Sequence, residues 1–392
     1  MNKKVLFLIH TLGVGGAEKV LVDTVNQLSK TMDVTVMTVI DTGAFKEKLS
    51  SNVRYRTIFS LPKKYKNDSS GSLLSNKSSL MKKFFVFFYQ IIWRFMPTKL
   101  IYNKFIKDNY DVEVAFLEGI TAKCLRHSKN KKVVWIHVDL LNENKSDKVF
   151  HSIKDQKKCY ASFDKVICVS EVVKKQFVSK YGDLNNSVSV LYNPINKKDI
   201  VEKSLEKVED LIIDNSICNI ATIGRLSPQK GYDRLIEVVK RLVDLNYKFK
   251  LYIIGVGPLY DEFIEKVNTL SLNNYIEFLG FKKNPYKYIT KCDFFVCSSY
   301  AEGFSTVVSE ASILEIPTVT TDCSGMKELF LNNEYGYIVE NNTDDLFEGV
   351  KYFLDNKKVI KNYKNKLVEL GSRFDIEKSV KEIEDMLHEI IL

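Results

Sequence analysis

The chain predicts an α/β protein made of two doubly wound domains, each a parallel sheet with helices on both faces. Three observations carry this reading. Short apolar runs rich in β-branched residues alternate with longer helical patterns almost from end to end. The alternation is interrupted once, after Asn193-Pro194, by a charged stretch from Asn196 to Asp210 with no deep apolar run, and then restarts. The length of 392 residues, 45% hydrophobic and 27% charged, is long for one core and comfortable for two.

Taken in order, the first half offers strands at Lys4–Ile9, Val34–Ile40, Val112–Leu117, Val133–His137, Lys165–Val169 and Val188–Leu191, with helices such as Glu18–Lys30 and Val172–Lys180 between some of them. Uninterrupted apolar runs suit strands buried on both faces. The second half repeats the scheme. Strands are expected at Asn219–Ile223, Lys250–Ile254, Tyr275–Phe278, Cys292–Cys297 and Thr318–Thr321, and helices at Arg234–Asn246, Leu259–Leu270 and Thr306–Leu314. The domain boundaries expected are 1–195, 196–374 and a terminal helix within 375–392. Two such domains would place the carboxyl ends of two sheets across one cleft, the place where open α/β sheets bind ligands.

Composition narrows the function classes. The net charge of +9 is scattered rather than gathered in an arm, so nucleic acid is not an expected partner. Seven cysteines, an odd count with no CxxC pair, suggest neither a zinc site nor a disulfide framework and fit a reducing cytoplasm. The apolar run Val5–Ile9 imitates a signal peptide but is short and leads into a glycine loop, so a buried strand is the better reading. Pro62 to Ser79, rich in Ser, Lys and Asn, reads as a surface loop. Phe84–Met96 is heavily aromatic, with Lys83, Gln90 and Arg94 on one narrow polar stripe. It reads either as a helix lying in a lipid headgroup boundary or as a packing helix of the first domain.

Three motifs carry chemistry. The first strand runs into His10-Thr11-Leu12-Gly13-Val14-Gly15-Gly16-Ala17-Glu18 and a helix. Glycines there let the main chain approach a ligand, and the helix N-terminus offers N–H groups to anionic oxygen; a tight turn is the plain alternative. Asp41 closes the second strand where a ribose-binding acid would sit, but a dinucleotide fingerprint needs glycine at position 18, which Glu18 occupies. In the second domain, Gly224-Arg225-Leu226-Ser227-Pro228-Gln229-Lys230-Gly231 sets one cation at a strand end and another at a helix entry, able to neutralise a diphosphate leaving group. Further on, Glu302-Gly303-Phe304-Ser305-Thr306-Val307-Val308-Ser309-Glu310 brackets a helix start with two carboxylates suited to sugar and ribose hydroxyls. Each motif alone has a bland reading as turn or surface charge; their combination and order are what count.

With these motifs in this order, the chain resembles the retaining family-4 glycosyltransferases of the GT-B fold, two Rossmann-like domains facing a cleft, over nearly its whole length. The resemblance implies transfer of a hexose or N-acetylhexosamine from a nucleotide-diphosphate sugar, with UDP expected and GDP the alternative. The acceptor would be a glycan or lipid-linked sugar in bacterial surface polysaccharide or glycoconjugate synthesis. By the same resemblance Glu302 contacts the donor hexose and Glu310 the ribose, while Arg225 and Lys230 clamp the diphosphate. Gly15 and Gly16 approach the phosphate or sugar, the main chain from Phe304 to Val307, beside Gly303, completes the phosphate site, and the base stacks near Phe281–Asn284. His137 matches the family's active-site histidine, and Glu118 is expected at the acceptor.

Neither metal nor cofactor is expected. The reaction implied is front-face displacement with the leaving phosphate accepting the acceptor's proton. The expected location is cytoplasmic, at the inner face of the cell membrane if Phe84–Met96 meets lipid. Asp344-Asp345 reads as an N-cap pair. Two positions depart from the family's pattern: Asn193-Pro194-Ile195-Asn196 replaces a common Asn-Gly-apolar-Asp turn, and Glu315 stands where glycine is usual before Ile316-Pro317. The competing class is a non-catalytic GT-B subunit that stabilises a partner transferase. An epimerase, a phosphorylase or an NAD-dependent oxidoreductase would need constellations that are not apparent.

Overall fold

The structure, a computed structural model, describes residues 2–60, 89–141, 147–184, 187–371 and 373–392. The chain divides into two units. Unit 1 holds Met1–Pro194 with Glu377–Leu392, and unit 2 holds Ile195–Ile376. The fold class is the one expected, a two-domain α/β architecture of the GT-B type.

Unit 1 is built on β1 (Lys4–Ile9), β2 (Asp33–Ile40), β3 (Arg54–Phe59), β4 (Val112–Ala115), β5 (Lys131–Ile136), β6 (Lys165–Cys168) and β7 (Val188–Val190). They form a parallel sheet in the order β3-β2-β1-β4-β5-β6-β7. Val5 to Ile9 are fully buried, as a strand covered on both faces requires. The order reverses direction between β1 and β4, so the loops leaving those two strands diverge and open a crevice between them. β3, Arg-Tyr-Arg-Thr-Ile-Phe, is absent from the expected strands. It is an edge strand whose exposed face carries Arg54 and Arg56, so no apolar run announces it.

Unit 2 repeats the plan with β8 (Cys218–Ile223), β9 (Phe249–Ile254), β10 (Ile276–Gly280), β11 (Phe294–Cys297), β12 (Thr318–Thr321) and β13 (Tyr337–Val339), all parallel. The order is β10-β9-β8-β11-β12-β13, so the reversal falls between β8 and β11. The short edge strand β13 also escapes the sequence pattern.

Two local readings are corrected and a third point is filled in. The charged stretch after Asn196 is not bare linker. Asn196 caps a helix, Lys197–Ser204, by accepting from Asp199 N at 3.1 Å, and Ile200 on its inner face is fully buried. The late helix Thr343–Asp355 is capped by Asn342, not by the aspartates. Asn342 accepts from Asp345 N at 2.8 Å, and Asp344 and Asp345 sit in the first turn.

The third concerns Glu315. The helix Thr306–Ile313 ends in a Schellman motif, with Ile316 N bonded to Ala311 O and Glu315 N to Ser312 O. That closure forces the left-handed region on Glu315, at φ 57°. Glycine is usual here because it has no Cβ to clash; glutamate holds the same turn at a cost of about 1 kcal/mol. The departure changes the residue and leaves the turn in place.

Candidate active site

In unit 2 the crevice lies where β8 and β11 end. β8 runs into Gly224-Arg225, and β11 into Ser298–Glu302. Gly231 lets these two turns approach, and Gly255, just past β9, lets the β9 turn reach the β8 turn. Gly231, at φ 64°, lies so close to Ser298 that a Cβ would fall 2.0 Å from its carbonyl oxygen, and a Cβ on Gly255 would fall equally close to Gly224 O. The turns are tied along their length: Tyr300 N donates to Gln229 O at 2.8 Å, Gln229 Nε2 to Ala301 O at 2.9 Å, and Ser298 Oγ to Lys230 O at 2.9 Å.

This brings Lys230 onto Glu302, Nζ to Oε1 at 2.6 Å, and Ser299 Oγ donates to the same oxygen at 2.6 Å. Glu302 is buried and Lys230 half-buried. Burial favours the neutral amine, but the Glu302 charge outweighs it and holds the Lys230 pKa above its ordinary value. Arg225 stands exposed beside them, without a hydrogen bond or ion pair among the described residues, and its charge bears on Lys230. Two cations and a buried carboxylate thus share one strand-end crevice.

The helix Thr306–Ile313 starts in the same loop. Its N-cap, Ser305, makes no capping bond, and the buried Ser305 hydroxyl has no hydrogen-bond partner. A helix N-terminus with an orphaned hydroxyl is a favourable seat for phosphate oxygen. Gly325 backs this turn, in contact with Gly303 O and the Phe304 ring. About one turn along the helix, Glu310 is buried and accepts from Tyr286 Oη at 3.2 Å. Tyr286 N in turn donates to Asn284 Oδ1 at 3.1 Å, so Glu310 is linked to the loop carrying half-buried Phe281.

In unit 1 the crevice lies where β1 and β4 end, and the chemistry there differs. Gly15 caps the helix Gly16–Leu28, with the Glu18 carboxylate folded over it; a Cβ on Gly15 would fall 2.2 Å from Glu18 Oε2. Asp41 accepts from Tyr55 Oη at 2.8 Å and Lys46 Nζ at 3.1 Å, committed within the fold rather than held ready for a ribose. Beyond β4, Glu118 Oε2 accepts from His137 N at 3.0 Å. The His137 ring packs on Phe116 at 4.8 Å, and its buried Nε2 has no partner. Burial lowers its pKa from the usual 6.5 to about 3, so the imidazole is neutral at physiological pH. His10, at the end of β1, bonds the Tyr89 hydroxyl and is lowered by burial to about 4. Among the described residues no group of three or more His, Cys, Asp or Glu is placed to hold a metal ion.

Residues 208–370 match the model of the family described as Glycosyl transferases group 1. An uncharacterised glycosyltransferase of Methanocaldococcus jannaschii is 30% identical over 332 residues, covering 75% of this chain and 80% of that protein. The chain belongs to the glycosyl transferases group 1 family. A second relative is the N-acetylgalactosamine-N,N'-diacetylbacillosaminyl-diphospho-undecaprenol 4-alpha-N-acetylgalactosaminyltransferase of Campylobacter jejuni. It is 36% identical over 219 residues, 55% of this chain, and the match spans only 58% of that enzyme's length. Among solved structures, Anabaena HepE in complex with UDP and glucose superposes with a TM-score of 0.72 at 21% identity, covering 98% of this chain and 99% of that one. Sucrose-phosphate synthase from Thermosynechococcus elongatus gives 0.72 at 13% identity, covering 99% of each chain. At these identities the likeness is one of fold.

Within this group 1 chain, the structure brings together Lys230 with Glu302 and Glu118 with His137. It sets Arg225, Gly303, Ser305, Thr306 and Val307 around the first pair, and places Glu310 with Tyr286 farther along the helix. Several participants carry no sequence signal. Ser299 bonds Glu302, Tyr286 meets Glu310, and Tyr89 meets His10. Gly43, at φ 123°, packs a Cβ-less backbone against Leu12 and so holds the glycine loop. Only Gly43 could have been suspected, as a glycine just past a strand end.

Of Phe84–Met96, residues 84–88 and the expected loop Pro62–Ser79 lie outside the described residues. Of the described part, 89–96, residues 89–95 are helical. Trp93 is 3% exposed and packs against unit 1, whereas Ile92 is 51% and Phe95 69% exposed. No described helix is long and apolar enough to cross a membrane.

Proposed function

We propose that this chain is a retaining, metal-independent family-4 hexosyltransferase. It moves a hexose or N-acetylhexosamine from a UDP-sugar to a sugar acceptor carried on a lipid, in the synthesis of a bacterial surface glycan. The observation that carries the reading is the Lys230–Glu302 pair at the strand-end crevice of unit 2, beside exposed Arg225 and the N-terminus of the helix Thr306–Ile313. Arg225 and Lys230 neutralise the diphosphate as the glycosyl bond breaks, and the main chain from Phe304 to Val307 with the Ser305 hydroxyl holds its oxygens. Glu302 Oε1 is taken by Lys230 and Ser299, which leaves Oε2 for a sugar hydroxyl. Glu310 takes the ribose and Phe281 lies against the base.

Unit 1 supplies the remaining groups. Gly15 and Gly16 meet the donor, Glu118 the acceptor, and neutral His137 offers Nε2 to a hydroxyl near the transferred sugar. With no nucleophile required of the protein, acceleration comes from preorganisation and charge stabilisation. The acceptor's lipid is supported by exposed Ile92 and Phe95 beside Arg94, which would sit at a membrane surface at the inner face of the cell. The names of the Campylobacter relative and of the UDP-bound Anabaena protein support a lipid-linked acceptor and a UDP donor.

The test is turnover of a panel of UDP- and GDP-sugars with a polyprenyl-diphosphate-linked sugar acceptor. Nucleotide release is expected with one UDP-sugar and only when acceptor is present, and in the same assay Glu302→Gln should lose about 100- to 1000-fold in kcat. Turnover of Glu302→Gln near the normal rate would remove the donor assignment.

A further inference from the structure

A fully buried arginine sits behind the proposed site, outside every motif considered so far. Arg234 lies in the first turn of the helix Tyr232–Asp244 and is 2% exposed. A buried guanidinium is costly unless its N–H groups are bonded, and these bonds converge on the loop that carries Glu302. Nε donates to Ser298 O at 2.7 Å and Nη2 to Ser299 O and, at 3.3 Å, to Thr321 Oγ1. Nη1 donates to Asn341 Oδ1 at 2.8 Å, and Asn341 Nδ2 returns to Tyr300 O at 2.9 Å. The guanidinium also stacks 4.0 Å over the Tyr300 ring.

The Ser299 carbonyl is the focus. Besides Arg234 it accepts from Thr321 Oγ1 at 2.6 Å and from Cys323 Sγ at 3.0 Å. Three donors on one carbonyl fix that peptide in place, and the side chain of the same residue donates to Glu302 Oε1 at 2.6 Å.

We propose that Arg234 is a positioning residue: by fastening the Ser298–Ser299 carbonyls, it makes the Ser299 hydroxyl and Lys230 present Glu302 in the one orientation a donor sugar can use. This rests on the reading of Glu302 as the donor contact. Its consequence is specific. Loss of Arg234 loosens Glu302 without touching any group assigned to the acceptor, and a displacement of about 1 Å at such a group costs about 100-fold in rate.

The experiment compares Arg234→Lys and Arg234→Met with Arg241→Ala. Arg241 lies on the same helix, with its partner Asp344 at the surface. Each is measured for kcat, donor KM, acceptor KM and deuterium uptake by the 298–303 amides. Both Arg234 variants should lose about tenfold or more in kcat, raise donor KM and leave acceptor KM unchanged. Uptake at 298–303 should quicken, while Arg241→Ala stays at wild-type values. A purely structural role would lower Vmax through loss of folded enzyme and move neither KM, and that result overturns the proposal.

Should neither Arg234 variant fold, Asn341→Ala removes one guanidinium acceptor and the prop on Tyr300 O from an exposed position. It must then raise donor KM and quicken 298–303 exchange, and unchanged values overturn the proposal. A wild-type protein inert toward every nucleotide sugar would instead defeat the functional reading. The exchange measurement still decides whether Arg234 orders the loop.

Discussion

The two sheets share one winding and one kind of crevice, yet the crevices are furnished oppositely. In unit 2 the strand ends are cross-tied by charge: Lys230 on Glu302, buried Arg234 on the Ser298–Ser299 carbonyls, and glycines that let the turns touch. In unit 1 the strand ends present neutral histidines, His10 bonded to Tyr89 and His137 with an unpartnered Nε2, and a glutamate that accepts a backbone N–H. A site meant for a diphosphate needs fixed charge that is assembled before the ligand arrives. A site meant for hydroxyls needs neutral donors and acceptors left available. One winding thus furnishes its strand ends with fixed charge in unit 2 and with neutral rings in unit 1.

Acid breaks this comparison most strongly. All five histidines lie in unit 1, at 10, 127, 137, 151 and 388. His10 and His137 have folded pKa values lowered to about 4 and about 3, against 6.5 when unfolded. The unfolded chain therefore binds more protons below 6.5, and stability present above that value falls as pH drops toward 4. Together the two rings cost unit 1 about 2–3 kcal/mol between pH 7 and 5.5. Protease resistance or amide exchange followed with pH should show unit 1 opening first, and His10→Phe with His137→Phe should flatten that dependence. A histidine-independent loss, equal in both units, would break the contrast.

A smaller effect sharpens it from the other side. Glu315→Gly relieves the left-handed strain at φ 57° and should stabilise unit 2 by about 0.5–1 kcal/mol, with unit 1 unchanged. The denaturant midpoint of the unit 2 transition reads this directly, and a lower midpoint would show that the glutamate side chain contributes more than the strain removes.

The same contrast explains what was legible in the sequence. Buried parallel strands such as Lys4–Ile9 are nearly continuous apolar runs, so the alternation and the fold class could be read, while the edge strands β3 and β13 could not. Arg225, Lys230 and Glu302 stood out because glycines and charges follow apolar strand runs there, and the structure brings Lys230 onto Glu302. Their supports did not. Arg234 looks like any helix arginine, since bonds to backbone carbonyls leave no mark on composition, and Ser299 looks like any loop serine. Glu315 was visible as a departure, but its left-handed backbone became evident only from the closing turn of its helix.

The claim on which the account turns is that the cations of unit 2 hold a nucleotide's diphosphate. Calorimetric titration with UDP, which lacks the transferred sugar and so leaves the Glu302 role aside, tests it most directly. The wild-type chain should bind UDP, and Lys230→Met should weaken that affinity about 10- to 100-fold. Equal affinity in the two proteins would contradict the account.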